Sequence, residues 1–385
     1  MLLGPDGVPA PTVFAEMSAL AAATGSINLG QGFPDEDGPA AVLDAAVDAI
    51  RSGVNQYPPG RGIPDLRLAI SEHHERFYGL RYDPDREVLV TAGATEALAA
   101  TLLALVEPGD EVLTFEPFYD AYGALIRLAG GRHVTVPLLP GEFLPDSSAL
   151  RDAFSDRTRV VLVNSPHNPT GRILPPAVLQ TIVELAERYD ATIVTDEVYE
   201  HLTFGQPHVP IATLPGAAHR TVSISSGGKT FSTTGWKIGW ATGPAELIEA
   251  VVTVKQFLTF VNGAPFQPAI AAGLRLPDEV FAGLGQTLRE KGELLADGLR
   301  TAGFEVFTPD AGYFVIADAA PLGYDDARDF CLQLPRLVGV AGVPVSAFVR
   351  PDRVRPYRSL VRFAFCKRRE VLADAAGRLA GLRAL

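Results

Sequence analysis

Between residues 87 and 225 the chain alternates two kinds of segment. Short, nearly continuous apolar runs at 87–91, 111–115, 132–136, 159–164, 191–195 and 221–225 predict strands. Segments with apolar residues every three or four positions predict helices at 95–106, 119–128 and 175–189. In the last of these, Val178, Leu179, Ile182, Val183 and Leu185 fall on one face, behind a proline suited to a first helical turn. The helix at 95–106 is stopped by Pro108-Gly109. Strands apolar on both faces need helices on both faces, so the pattern predicts an α/β unit with a mostly parallel sheet. Beyond about residue 275 the rhythm changes to a helix at 279–302, strands at 304–307 and 313–316, a helix near 325–333, a strand at 360–366 and a last helix from 368. That order predicts a smaller α+β unit. The opening residues, with Gly30, Gly32, Pro34, Gly38 and Pro39, read as an arm and loop rather than a core element. The expected divisions are 1–40 (arm, part of the small domain), 41–275 (large domain) and 276–385 (small domain).

The 385 residues are 47% hydrophobic and 20% charged, a globular composition too long for one ordinary core. A formal charge of -12 with no basic run argues against a nucleic-acid partner. No apolar run has the length of a membrane helix, and the first residues lack a signal-peptide pattern, so a cytoplasmic protein is expected. Two cysteines, Cys331 and Cys366, cannot build a disulfide framework. Neither they nor the seven histidines have metal-ligand spacing, so no metal is expected.

Polar clusters follow several predicted strands: Gly93-Ala94-Thr95, 164–168, 196–199 and 225–229. In open parallel sheets ligands bind at those carboxyl ends. The chain has only five lysines, and Lys229 follows Ser225-Ser226-Gly227-Gly228 among small and apolar residues. Burial would lower its pKa and make it a nucleophile or base; a lysine on a surface loop remains the other reading. The same stretch nearly matches a phosphate-binding P-loop, but Ser223 stands where the first glycine belongs. Asp196, at a strand end, is either a helix N-cap or a counter-charge for a cationic ligand. In the strand around residue 362, Val361, Phe363 and Phe365 share one face, and Arg362 points the other way with Ala364 and Cys366. It is either a solvent-facing arginine on an edge strand or a fork for a carboxylate.

Taken together, Asn168, Asp196, Tyr199, Ser226, Lys229 and Lys237 follow the order Asn-Pro-x-Gly, Asp-x-x-Tyr, Ser-x-x-Lys and a later basic residue. This set resembles the fold-type I (class I) pyridoxal 5'-phosphate (PLP) aminotransferases. The likeness runs from NLGQGFPDEDGP through TAGATEAL to VRFAFCK. It is nearest to the kynurenine/glutamine/methionine branch and to the actinobacterial N-succinyldiaminopimelate aminotransferases. The resemblance implies a large domain with a mostly parallel seven-stranded sheet, a smaller α+β domain, and a homodimer. It implies that Lys229 carries PLP as a Schiff base and moves protons, and that Asp196 pairs with the ring nitrogen. Asn168 and Tyr199 would bond the phenolic oxygen and Tyr119 would stack on the ring. Ala94, Thr95, Ser226 and Lys237 would hold the phosphate, joined by Tyr57 of the other subunit. Arg362, helped by Gly32 and Asn168, would grip the substrate carboxylate. The implied reaction passes an amino group from a glutamate- or glutamine-like donor to a 2-oxo acid, with N-succinyldiaminopimelate as the specific candidate. A PLP-dependent elimination or replacement enzyme is the alternative within the fold. Asn262 and Gly263 stand where kynurenine-type members often carry an aromatic residue and a histidine, which weakens a kynurenine assignment. His167 reads as structural.

Overall fold

The computed structural model describes residues 12–384. The chain opens with α1 (Val13–Thr24), β1 (Ile27–Asn28), α2 (Ala40–Arg51) and α3 (Pro64–Tyr78). An alternating region follows: β2 (Val88–Ala92), α4 (Gly93–Leu105), β3 (Glu111–Glu116), α5 (Asp120–Leu128), β4 (Arg132–Pro137), α6 (Ser147–Asp152), β5 (Thr158–Asn164), α7 (Pro176–Arg188), β6 (Thr192–Asp196), β7 (Thr221–Ser226), α8 (Gly227–Thr230), β8 (Ile238–Thr242), α9 (Ala245–Lys255) and α10 (Phe266–Leu274). The last stretch holds α11 (Asp278–Ala302), β9 (Glu305–Phe307), β10 (Phe314–Asp318), α12 (Ala327–Val338), β11 (Val340–Ala341), β12 (Val343–Pro344), β13 (Leu360–Ala364) and α13 (Arg369–Ala380).

Seven strands form one sheet in the order β2-β8-β7-β6-β5-β3-β4. Pairings from β7 to β4 are parallel, and β8 runs antiparallel to both neighbours. The two-faced burial inferred from the apolar runs is visible residue by residue. In β5, Val160 and Leu162 pack into a cluster with Leu98, Ile248 and Val251 of α4 and α9. Val161 and Val163 pack with Leu179, Ile182 and Val183 of α7 on the other face. A second sheet, β12-β13-β10-β9, is antiparallel and backed by α11, α12 and α13 through Leu295, Leu299, Phe330, Leu334, Leu372 and Leu379.

One expectation changes, and two rival readings fall. The opening segment is not merely an arm. Thr12 caps α1 by accepting from the Ala15 N–H at 3.2 Å, Met17 and Ala21 are buried, and β1 pairs in parallel with β11. The alanine-rich helix was masked by the Gly/Pro-rich residues after it. Residues 223–226 lie in β7, so the stretch before Lys229 is a strand and not a phosphate-cradling loop. β13 is an interior strand between β12 and β10, which removes the edge-strand reading of Arg362. No helix among the described residues is long and apolar enough to cross a membrane.

Candidate active site

A cavity of about 320 Å³ lies where the carboxyl ends of the large sheet meet the opening arm and the smaller sheet. Its walls include Gly32, Ala94, Thr95, Tyr119, Asn168, Asp196, Tyr199, Ser226, Lys229, Lys237 and Arg362. Every residue put forward for cofactor or substrate binding, except Tyr57, is therefore in one place, although together they span most of the chain.

Asp196 ends β6 on the cavity floor, 5% exposed. Tyr122 Oη donates to its Oδ2 at 2.6 Å, and the Val198 N–H approaches Oδ1 at 3.5 Å. Burial outweighs these bonds and raises the carboxyl pKa. A cation placed against it would relieve that cost. Asn164 braces the same corner, donating to the Asp196 carbonyl at 2.8 Å and accepting from the Asn168 N–H at 2.7 Å.

Lys229 lies in α8, just past β7. Its Nζ donates to the Gly32 carbonyl at 3.2 Å and sits 5.8 and 5.4 Å from the Tyr199 and Tyr313 rings. Tyr313 Oη holds the Lys229 carbonyl at 2.7 Å. Burial lowers the lysine pKa, only partly opposed by Cys366 and Asp196. The surface-loop reading of Lys229 is thereby excluded. Burial also raises the Tyr119 hydroxyl to about 12 and keeps the Tyr199 phenol well up, so both stay protonated.

The helix α4 opens on the cavity with no side-chain cap, leaving its first N–H groups free for an anion. Gly93 starts it with φ +74, and a Cβ there would lie 3.1 Å from Lys237 Cε and Nζ. Backbone amides and an ammonium thus meet around a space that a side chain would fill. Lys237 itself has φ +55, and Asn262 Nδ2 donates to its carbonyl at 3.1 Å and to that of Thr91 at 3.0 Å.

Arg362 enters from β13 and is 1% exposed. Its Nη1 donates to Asn168 Oδ1 and its Nη2 to the Gly30 carbonyl, both at 2.9 Å. Phe314, Phe348 and Phe14 pack around the guanidinium at 3.8, 4.6 and 5.2 Å. No carboxylate pairs with it among the described residues, and its Nε has no partner. Burial pushes its pKa down to about 10. A buried cation with spare donors and aromatic walls suits an incoming carboxylate. Gly32 packs flat on Phe314, where a Cβ would lie 2.3 Å from the ring.

Tyr57 does not line this cavity. It is 83% exposed and meets Phe260 edge-on at 5.8 Å. His167 is buried, bonded to Thr170 Oγ1 at 2.8 Å, and pushed down to about 3 by burial. Tyr122 and Phe314 were not singled out from the sequence, Asn164 only as the start of a polar cluster, and Asn262 only for a side-chain pocket. Tyr122 carried one usable signal: it lies one helical turn after Tyr119.

The comparisons with known proteins agree with this geometry. The family model for aminotransferase class I and II matches residues 24–379. A probable N-succinyldiaminopimelate aminotransferase of Mycobacterium tuberculosis H37Rv is 53% identical, over 97% of this chain and 96% of its own. The methionine aminotransferase of Escherichia coli K12 is 38% identical, over 96% and 95%. Among solved structures, N-succinyldiaminopimelate aminotransferase from M. tuberculosis superposes with a TM-score of 0.94 at 54% identity, covering 97% of each chain. Aspartate aminotransferase from Thermus thermophilus with maleate gives 0.88 at 33% identity, again over 97% of each. On sequence, fold and the convergence of these side chains alike, the chain belongs to the class I and II aminotransferases, of fold type I, and is an aminotransferase.

Proposed function

We propose that the chain uses PLP held by Lys229 and transfers the amino group of an N-succinyldiaminopimelate-like or glutamate-like donor to a 2-oxo acid. The observation that carries this reading is the meeting, in one cavity, of a half-buried amine, a buried carboxylate and an uncapped helix N-terminus. These match the aldehyde, ring nitrogen and phosphate of PLP. Asn168 adds to the fit: Arg362 occupies its Oδ1, leaving Nδ2 to donate toward a phenolic oxygen.

When bound, PLP supplies an electron sink for the substrate's α-carbon and a carbonyl carbon that can take the amino group. The chain supplies position and proton transfer. Asp196, oriented by Tyr122, would keep the ring nitrogen protonated. The Ala94 and Thr95 amides, with Ser226 and Lys237, would hold the phosphate, and Tyr119 would cover the ring. Lys229, its pKa lowered by burial, would take the proton from the donor's Cα and return it at the carbon that receives the amino group. Arg362 would fix the α-carboxylate so that Cα faces Lys229, with the Gly32 backbone as the opposite wall.

The same reading gives a cytoplasmic homodimer in which Tyr57 reaches the other subunit's phosphate, and a division into 1–40, 41–275 and 276–385. It gains support from the 53% identity to the mycobacterial protein. Borohydride reduction with peptide mapping should mark Lys229. Donor alone should drive the cofactor once to its amine form and then stop, and a 2-oxo acid should restore it. Continued ammonia release without an acceptor would point instead to elimination chemistry.

A further inference from the structure

A second buried polar cluster lies apart from the cavity. His73 on α3 meets Glu200 and His201, which directly follow Tyr199. None of the three lines the cavity. His73 Nε2 and His201 Nε2 face each other at 2.9 Å, and Glu200 Oε2 lies 3.9 Å from His73 Nε2. All three ligand-capable atoms fall within 4.8 Å of one another. His73 and Glu200 are buried, and His201 is partly exposed, which leaves a route inward.

The two imidazoles share a hydrogen bond and both Glu200 oxygens accept one, yet nearby ring nitrogens stay unpaired and no lysine or arginine balances the carboxylate among the described residues. Glu200 accepts from Tyr78 Oη at 2.5 Å and from Ser225 Oγ at 2.6 Å. His73 Nδ1 and both ring nitrogens of the adjacent His74 have no partner. A purely structural histidine network would satisfy its members and give the carboxylate a full counter-charge. Two ring nitrogens and a carboxylate oxygen gathered within 4.8 Å, around a carboxylate with no lysine or arginine partner, fit a cation.

We propose that His73, Glu200 and His201 form a divalent-cation site of the Zn²⁺ class, with water as a fourth ligand. Two imidazoles and a carboxylate suit this ion, and a tetrahedral site spaces its ligand atoms about 3.3 Å apart. That value falls between the two separations given above, and the third pair lies within 4.8 Å, so the ligands would draw together on the ion. The ligands adjoin Tyr199 and come from α3, so the ion would clip that helix to the segment carrying Tyr199. The chain shows no metal-ligand spacing because 128 residues separate the two histidines. The site is independent of the PLP reading.

The test uses tag-free holoenzyme, stripped with EDTA and titrated with Zn²⁺ against a chromophoric chelator. One equivalent per chain should bind and raise the thermal midpoint. Co²⁺ should give d–d bands at longer wavelength than the cofactor's absorption. His73→Gln and His201→Gln should each weaken Zn²⁺ binding at least about tenfold, the least that even loss of an outer-shell partner costs a metal site, while the exposed His219→Gln should not. His201 is partly exposed, so if His73→Gln fails to fold, His201→Gln decides the matter. Absence of a saturable equivalent, or binding that survives His201→Gln, overturns the proposal.

Discussion

Lys229 and Lys255 are both withdrawn from solvent, and burial lowers the pKa of both. Their surroundings differ. Lys255, at the end of α9 and 2% exposed, donates to the carbonyls of Phe260 at 2.7 Å and Gly60 at 3.0 Å. Its donors are spent on holding two loops. Lys229 has a single bond, at 3.2 Å, and open space in front of it. The direction of a pKa shift therefore does not separate a structural lysine from a chemical one. The number of spent donors and the space around the amine do. Arginines show the same contrast: Arg67 is bonded to Asp85 at 2.7 Å and to two carbonyls, whereas Arg362 meets no acid.

The largest expected difference is in turnover. Lys229→Ala should lower transamination by at least roughly 10²–10⁴-fold, the range for losing a positioned acid–base group. Lys255→Met should keep turnover at its folded sites. Equal losses in a coupled transaminase assay would erase the distinction. Arg362→Ala should come next, weakening apparent donor affinity by roughly 2–5 kcal/mol. An unchanged affinity in a donor titration would take Arg362 out of substrate binding. Lys255→Met should cost about 1–3 kcal/mol of stability, because two inward carbonyls lose their donor; urea unfolding would measure it.

The smallest effect is a pH slope. In cofactor-free protein both lysines have folded pKa values below their unfolded one, so the unfolded state binds more protons in the interval between. Stability should then rise as pH climbs from those lowered values toward about 10.4. Lys229→Met and Lys255→Met should each flatten part of that rise. A slope unchanged in Lys229→Met would mean that its amine is not perturbed in the unliganded chain.

Six strands of the sheet were legible because continuous apolar runs such as 159–164 have one explanation, helices on both faces; β8, the antiparallel seventh, was not read from the pattern. The small sheet was legible in outline, since the strand around Arg362 is buried where predicted, although its cluster takes in Ala364 and Cys366 as well as Val361, Phe363 and Phe365. Helix α1 was not, because the following glycines and prolines dominated the reading of its region. Cavity residues that follow strands were found from position alone. Tyr122 was not, and the bracing roles of Asn164 and Asn262 were not, because these exist only through partners far along the chain. Tyr122 looks like an ordinary core tyrosine until Asp196, 74 residues later, is placed beside its hydroxyl. The His73–Glu200–His201 cluster was missed for the same reason.

The pairing of β1 with β11 also bears on the order of assembly. Ile27 is synthesised well before its partner Val340, and the Gly30 carbonyl waits for Arg362. Such distant closures are costly and form late. The wall that Gly30 and Gly32 give to the cavity is thus complete only once the strand carrying Arg362 has been made, more than 300 residues further along the chain.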